Sequence, residues 1–391
     1  MKQSEQSLLE LLKCALFGGE PQLPPDPPWE EIFEEAKHQT VAAIAAKALP
    51  ASVPQEVRKQ WDQLVLSQLS QYIRYLSAED SLIKCLSEAE IPFVILKGTA
   101  AAVYYPEPYR RAMGDIDFLV SRESFDSVNE LMRMSGYQEK VSAAEHEGSP
   151  RHTEFQKLGI PFEPHHHFSE DNPETDELIF SGFGHSVIGT VDDHSFPMLP
   201  KLSNGIVLLE HMKSHLRRGM GLRQLLDWMM YVNSELDNAF WDSTFSCAAE
   251  QAGLASLAKT VTRSCQLFLG LPSAVTWCCD AEDSDCLLLM DCILSSGNFG
   301  RKNGEGAKVE MVSAQFHGRG IFRRLQEAGE YNWKAYHNHP WLKPLCPVYQ
   351  GFRYLRQGIQ SRKSGNSMKD DLQRGKRRHE LLKKLGIEQK N

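Results

Sequence analysis

The sequence has no uninterrupted apolar run of roughly 18 residues, the length that a membrane-spanning helix needs. Its N-terminal segment carries Glu5 and Glu10 within the apolar stretch and contains no small-residue cleavage site, so it does not predict a secretory signal. Nine cysteines are scattered along the chain without a C-x-x-C pair, which argues against a disulfide framework or a structural zinc site. We therefore expect a cytoplasmic protein with reduced thiols and no membrane segment.

The composition is that of a globular protein with one unusual segment. Apolar residues make up 41% and charged residues 24% of the 391 residues, which is ordinary for a chain of two or three domains. The net charge of −8 is unevenly distributed, because residues 351–391 carry 12 Lys/Arg and only 4 Asp/Glu. We expect this basic tail to be a solvated helix, although it could contact nucleic acid or an acidic partner.

Hydrophobic periodicity divides the chain into four regions. Residues 1–88 have apolar positions at helical spacing, as do residues 201–350, whereas the segment between them contains short β-branched runs. The pattern predicts an α+β fold, in which a small mixed-sheet core at 89–200 is flanked by N-terminal and C-terminal helical regions and followed by a basic helical tail at 351–391.

Two short apolar segments predict strands within the core. Residues 91–96 are rich in β-branched and aromatic side chains, and residues 115–120 alternate between two faces. Residues 122–135 have the spacing of a helix. Further candidate strands are 137–141, 153–158 and 160–168.

An acidic pair lies on the second of these predicted strands. Asp115 and Asp117 are two residues apart, so their side chains share one face, with Cα atoms about 6.6 Å apart. Two carboxylates on one face repel each other unless a cation lies between them. Mg²⁺ prefers carboxylate and phosphate oxygens and, like Mn²⁺, bridges triphosphate oxygens in phosphoryl transfer. The pair therefore predicts a divalent metal site.

The segment between the two strands has features of a phosphate-binding turn. Lys97, Gly98 and Thr99 follow the first strand and open a predicted helix, whose free N–H groups and positive dipole suit an anion. Glycine lets the backbone approach a phosphate closely, and Thr99 adds a hydroxyl donor. Arg110 and Arg111, just before the acidic strand, could bind phosphate oxygens through two hydrogen bonds each.

These motifs together resemble a known family. Leu96-Lys97-Gly98-Thr99, Tyr104-Tyr105-Pro106 and the stretch from Arg111 to Val120 are similar to an uncharacterised bacterial nucleotidyltransferase family of the DNA polymerase beta-like superfamily. The resemblance covers roughly residues 90–235. It implies that Gly98 and Thr99, with Thr99 in place of the usual serine, hold phosphate, assisted by Lys97 and Arg111, and that Asp115 and Asp117 bind metal.

The resemblance also implies roles for residues further along the chain. Glu163, in Phe162-Glu163-Pro164-His165, occupies the place of a third acid that binds metal and acts as general base or orients the acceptor hydroxyl. The residues themselves suggest that His165, two positions further along the same strand, orients Glu163 or contacts the nucleotide. His211, His215 and Asp227 match a later helical pattern of the family. We expect these three residues to contact and orient the metal ligands without binding the metal themselves.

We therefore expect a metal-dependent nucleotidyltransferase that moves a nucleoside monophosphate from a nucleoside triphosphate, with ATP the expected donor, to an acceptor hydroxyl or phosphate. The acceptor cannot be read from the sequence. Two alternatives remain open. One is a module that binds nucleotide without turnover. The other is a zinc hydrolase or oxygenase, because Glu163, His165 and His167 would share one face of a strand.

Overall fold

The computed structural model of the chain describes residues 1–140, 153–169, 172–298, 302, 321–333, 335–336, 339–363 and 368–387. These residues belong to two compact units. The first is built mainly from Met1–Ser214 and Leu222–Cys286, and the second from His215–Gly221 and Leu287–Glu388. The division into four regions at residues 88, 200 and 350 stays a prediction.

The N-terminal part of the first unit is helical, as the apolar spacing predicts. Its helices are α1 (Gln3–Phe17), α2 (Trp29–His38), α3 (Ala42–Ala45) and α4 (Gln55–Glu88). The second half of α4 buries a stripe of side chains three or four residues apart, which is the pattern of a helix with one face against a core. The stripe consists of Tyr72, Tyr75, Ala78, Glu79, Leu82 and Leu86. Its polar members include Tyr75 and Glu79, which lie in the interior.

A seven-stranded mixed sheet follows, in the order β3-β4-β5-β2-β1-β7-β6. Its strands are β1 (Phe93–Leu96), β2 (Ile116–Val120), β3 (Gln138–Glu139), β4 (Phe155–Lys157), β5 (Ile160–His165), β6 (Val187–Val191) and β7 (His194–Met198). The central strand β2 is antiparallel to β1 and parallel to β5. The helices α5 (Gly98–Ala102) and α6 (Phe125–Met134) connect the strands, together with a 3₁₀ turn at Pro108–Arg110.

The two faces of the central strands differ in chemistry because successive side chains alternate. Ile95, Phe118 and Phe162 join a hydrophobic core together with residues of α4 and α6. Asp117 and Glu163, on the other face, are therefore directed away from that core. All five residues of β2 are buried, so Asp117 is an interior carboxylate.

Helices complete the first unit and make up the second. Those after the sheet are α7 (Pro173–Phe183), α8 (Lys201–Arg218), α9 (Leu222–Glu235), α10 (Asn238–Phe240), α11 (Ser246–Gln251), α12 (Ala255–Leu269) and α13 (Asp283–Ser296). A π-helical segment spans Trp241–Phe245. The α9 helix is buried from Leu222 to Val232, so its charged residues Arg223 and Asp227 lie in the interior.

In the second unit, helices span Ile321–Asn332, Cys346–Lys363 and Met368–Lys384, with a 3₁₀ segment at Pro340–Leu345. The last helix carries part of the basic tail, and two of its arginines have partners within the unit. Arg377 pairs with Asp291 at 2.6 Å, and Arg378 donates to Ser296 at 2.7 Å. The role of the tail in binding nucleic acid stays a prediction.

The architecture confirms the predicted fold class. A mixed sheet forms the α+β core, and helical regions lie before and after it in the chain. Among the described residues, no helix combines the length and the apolar character that crossing a bilayer requires.

Candidate functional site

Two of the three acids predicted as metal ligands lie side by side on adjacent strands. Asp117 of β2 lies opposite Glu163 of β5 in the parallel register, and opposite Leu96 of β1 on its other side. Neighbouring strands lie about 4.8 Å apart, and residues in register share a face. The two carboxylates are therefore side by side, next to the turn that follows β1.

The ammonium group of Lys97 and the imidazole of His165 both contact the same carboxylate oxygen of Asp117. Lys97 Nζ is 2.7 Å from Asp117 Oδ1, and His165 Nε2 is 2.8 Å from that oxygen. His165 Nε2 is also 3.7 Å from Glu163 Oε2. The side chain of Asp117 is only 2% exposed, so these contacts act in a medium that screens charge weakly.

Burial and neighbouring charge shift the two acids in opposite directions. Burial alone would raise the pKa of Asp117, but the charge of Lys97 and the hydrogen bond from His165 outweigh it and hold the pKa well below its usual range. Burial, followed by the charges of Asp117 and Asp115, raises the pKa of Glu163 to about 8. Glu163 is therefore the acid whose charge depends most on whether a cation is bound.

Asp117, Glu163 and His165 form the one group among the described residues with the geometry of a metal site. Their potential ligand atoms lie within 4.8 Å of one another. Two carboxylates and an imidazole suit a divalent cation such as Mn²⁺, and the carboxylates suit Mg²⁺. Asp115 precedes β2 and is outside this group, although its charge is near enough to raise the pKa of both Lys97 and Glu163.

The turn after β1 has an unusual backbone conformation. Lys97 has a φ of 52° and Gly98 a φ of 28°. A non-glycine residue with positive φ is uncommon, and such conformations are concentrated at functional sites. The turn brings the side chain of Lys97 back onto Asp117.

Gly98 makes room for a side chain of α4. A Cβ added to Gly98 would lie 2.3 Å from the hydroxyl oxygen of Tyr75, and that hydroxyl donates to the backbone oxygen of Asp115 at 3.1 Å. Tyr75 therefore joins the turn to the segment before β2. Sequence reasoning missed Tyr75, and its place in the buried stripe of α4 gave no sign of this contact.

The hydroxyl of Thr99 is engaged with the protein. Thr99 is fully buried and donates to Glu79 Oε1 at 2.7 Å, and His194 Nε2 lies 2.7 Å from the same oxygen. His194 Nδ1 in turn lies 2.8 Å from Asp80 Oδ1. Burial would lower the pKa of His194, but its hydrogen bond to Glu79 and the charges of Glu79 and Asp80 outweigh this and raise it. The side chain of Thr99 thus fixes the turn to α4 and β7.

Arg111 and Asp227 form a buried ion pair. Arg111 Nε donates to Asp227 Oδ1 at 2.9 Å and Arg111 Nη2 to Oδ2 at 2.8 Å, in the paired geometry that arginine forms with carboxylates. Tyr105 also donates to Oδ1, at 2.9 Å. Sequence analysis assigned Arg111 to phosphate. The structure engages its guanidinium with Asp227, and no histidine hydrogen bonds to this aspartate among the described residues.

The other predicted histidines are not members of the group of potential ligands. His211 and His215 are on α8, and neither belongs to that group; their supporting role stays a prediction. His167, which the zinc alternative required, lies 3.0 Å from Asp176 Oδ2 through Nδ1 and is not among the potential ligands either.

The fold and this site define a class of protein in which a mixed sheet presents a buried acid pair beside a strained turn. A sequence model of the family described as "Uncharacterised nucleotidyltransferase" matches residues 25–270, more than half of the chain. The chain belongs to this family, which confirms the resemblance and supports a generic nucleotidyltransferase role. No curated protein matches the chain.

Proposed function

We propose that this protein is a metal-dependent nucleotidyltransferase. It transfers a nucleoside monophosphate from a nucleoside triphosphate, with ATP the expected donor, to an acceptor hydroxyl or phosphate, and pyrophosphate leaves as the bond between the α- and β-phosphates breaks. One observation carries the proposal. Asp117 and Glu163 lie opposite each other on parallel strands, within a group that could hold a cation, at the turn after β1. Membership of a nucleotidyltransferase family gives this arrangement its chemical interpretation.

The proposed roles of the residues follow from their positions. Asp117, Glu163 and His165 would hold the cation, and Asp115 would add its charge to the same site. A bound Mg²⁺ or Mn²⁺ would neutralise charge that develops on the phosphate oxygens. Lys97 balances the charge of Asp117 and stands beside the phosphates. Gly98 and Thr99 contact phosphate through backbone amides, because the hydroxyl of Thr99 is bound to Glu79.

The test is transfer of label from nucleoside triphosphates that carry it on the α-phosphate. Each of the four donors is incubated with Mg²⁺ or Mn²⁺ and with panels of acceptors: proteins, RNA ends and small hydroxylated molecules. We expect Asp117→Asn to lower transfer at least about a hundredfold. Asp126→Asn is the matched control, because Asp126 is exposed on α6. Full activity of Asp117→Asn would overturn the proposal.

A nucleotide-binding module without turnover is the second candidate. It is favoured by the hydrogen bonds of Thr99 and Arg111, because both side chains are already engaged with protein carboxylates. Calorimetry with a non-hydrolysable ATP analogue separates the two candidates. Binding that depends on Asp117, together with no transfer to any acceptor, would favour the module.

A further inference from the structure

A second arginine lies beside the acids, and it has no carboxylate partner. Arg223 is the second residue of the buried helix α9 and is 8% exposed. Among the described residues, no carboxylate oxygen lies within 4.0 Å of its guanidinium, which makes one hydrogen bond, from Nη1 to the backbone oxygen of Ala112 at 3.2 Å. Its Nε is buried without an acceptor. Buried arginines are normally paired, so this position calls for an explanation.

The helix itself offers a partner that Arg223 does not use. Asp227 lies four residues further along α9, the spacing at which opposite charges pair on a helix. Both oxygens of Asp227 instead accept hydrogen bonds from Arg111, and one also accepts from Tyr105. Asp227 therefore pairs with Arg111 alone. Arg223 has no carboxylate within ion-pair distance among the described residues, and the charges of Asp227 and Asp115 act on it only from further away.

Arg223 lies where it could contact a molecule bound next to the segment that precedes β2. A Cβ built on Gly114 would lie 3.9 Å from Arg223 Nη1, and Gly114 is exposed. The next residue is Asp115, whose charge acts on Arg223. The guanidinium therefore lies beside exposed Gly114 in the segment that leads into β2, the strand that carries Asp117. Burial and the like charge of Arg111 lower the pKa of Arg223. The folded protein therefore disfavours the charged form of this guanidinium.

We propose that Arg223 binds a phosphate group of the nucleoside triphosphate, the role that sequence analysis gave to Arg111. The inference rests on the proposed function for its substrate. A guanidinium presents donors in a planar fork that matches two phosphate oxygens, and a buried one gains most from such a ligand. Asp227 contributes by holding Arg111, so that Arg223 keeps its donors for the substrate.

The experiment measures binding as well as activity. Wild type, Arg223→Gln and Arg223→Lys are titrated, in the presence of Mg²⁺, with a non-hydrolysable ATP analogue, inorganic tripolyphosphate and adenosine. The matched control is Arg133→Gln, because Arg133 is exposed and pairs only with surface glutamates among the described residues. Arg223→Gln should weaken the analogue and tripolyphosphate roughly tenfold to a hundredfold, and Arg223→Lys by less. Adenosine binding should not change.

Stability distinguishes a ligand-binding arginine from a structural one. We expect the melting temperature of Arg223→Gln to be equal to or above that of wild type, because the substitution removes a buried cation that repels Arg111. A large fall in melting temperature for both Arg223 variants would overturn the proposal. Unchanged tripolyphosphate binding would overturn it too, as would absence of tripolyphosphate binding by wild type.

The outcomes for this proposal and for the proposed function are separate. If the analogue binds through Arg223 and no acceptor is ever labelled, the phosphate site stands and the transferase fails. If wild type transfers label and Arg223→Gln keeps the same KM for the donor, the transferase stands and the phosphate site fails. Weakened binding of tripolyphosphate with unchanged binding of the analogue would place the phosphate on the acceptor and overturn the assignment to the donor.

Discussion

Arg111 and Arg223 donate hydrogen bonds to the same backbone oxygen, that of Ala112, at 3.3 and 3.2 Å. Only Arg111 also reaches a carboxylate, Asp227. The two arginines share a backbone acceptor, but only the charge of Arg111 is balanced by a carboxylate in direct contact. The paired one stabilises the fold, and the other keeps donors for a ligand. This difference makes predictions about stability that can be checked without knowing the substrate.

Removal of one partner of the Arg111–Asp227 pair should destabilise the protein strongly. Arg111→Met removes both guanidinium hydrogen bonds from the buried carboxylate of Asp227, and loss of one partner of a buried ion pair typically costs about 3–5 kcal/mol. The double variant Arg111→Met/Asp227→Leu should lose much less than the sum of the two single changes. Urea unfolding of the four proteins gives the coupling. Additive losses would show that the two side chains do not stabilise each other.

The stability of the metal-free protein should fall as the pH rises towards 8. The pKa of Glu163 is raised to about 8 by burial and by the charges of Asp117 and Asp115, whereas its ordinary value is 4.5. Folding therefore takes up a proton between these values, and the corresponding stability is present below the lower pKa and lost as the pH passes the higher one. The effect should reach a few kcal/mol at most, since Glu163 is partly exposed.

Glu163→Gln isolates this contribution. Unfolding free energies measured in chelator at about pH 5 and about pH 8 should differ less in this variant than in wild type. Glu88→Gln is the control, because Glu88 is exposed at the end of α4. Mn²⁺ added at the higher pH should restore stability to wild type and not to Glu163→Gln. Identical pH dependence in the two proteins would contradict the raised pKa.

Gly98→Ala should strain the turn after β1. Gly98 has a positive φ, and the added Cβ would lie 2.3 Å from the hydroxyl oxygen of Tyr75. We expect a loss of about 1–3 kcal/mol in the free energy of unfolding. Tyr75→Phe removes the hydroxyl and should recover part of this loss in the double variant. Gly136→Ala is a control for backbone strain alone, since Gly136 also has positive φ and nothing lies near its Cβ position. Equal losses at both glycines would show that Tyr75 has no part.

Thr99 should matter for stability through its hydroxyl. Thr99→Val keeps the volume and removes the donor to Glu79, leaving that buried carboxylate less satisfied. We expect a loss of roughly 1–3 kcal/mol, as for other buried polar groups that lose a partner. Thr99→Ser keeps the hydroxyl and should be affected less. Thermal unfolding of the two variants tests this prediction. A higher melting temperature for Thr99→Val than for Thr99→Ser would contradict the role of the hydroxyl.

Much of the fold and of the acid site follows from local pattern. The apolar runs at 91–96 and 115–120 form β1 and β2, and the helix predicted at 122–135 forms α6. The strands β6 and β7 escaped sequence analysis. β7 pairs with β1 at Ile95 and Met198, about a hundred residues apart in the chain, and no local signal indicates such a pairing. The role of Glu163 as a third acid was predicted from the resemblance to a family. Its position opposite Asp117 depends on the pairing of β2 with β5, which only the tertiary structure shows.

The sequence by itself determined the strands β1 and β2, the turn that follows β1 and the place of Asp117 on β2, because alternation and spacing are properties of neighbouring residues. Only the tertiary structure decided which side chains are already engaged. Thr99 donates a hydrogen bond to Glu79 on a preceding helix, and Arg111 pairs with Asp227, which is 116 residues further along the chain. Asp227 is four residues from Arg223 and yet binds Arg111, because the packing of α9 against the segment before β2 brings that guanidinium to both of its oxygens.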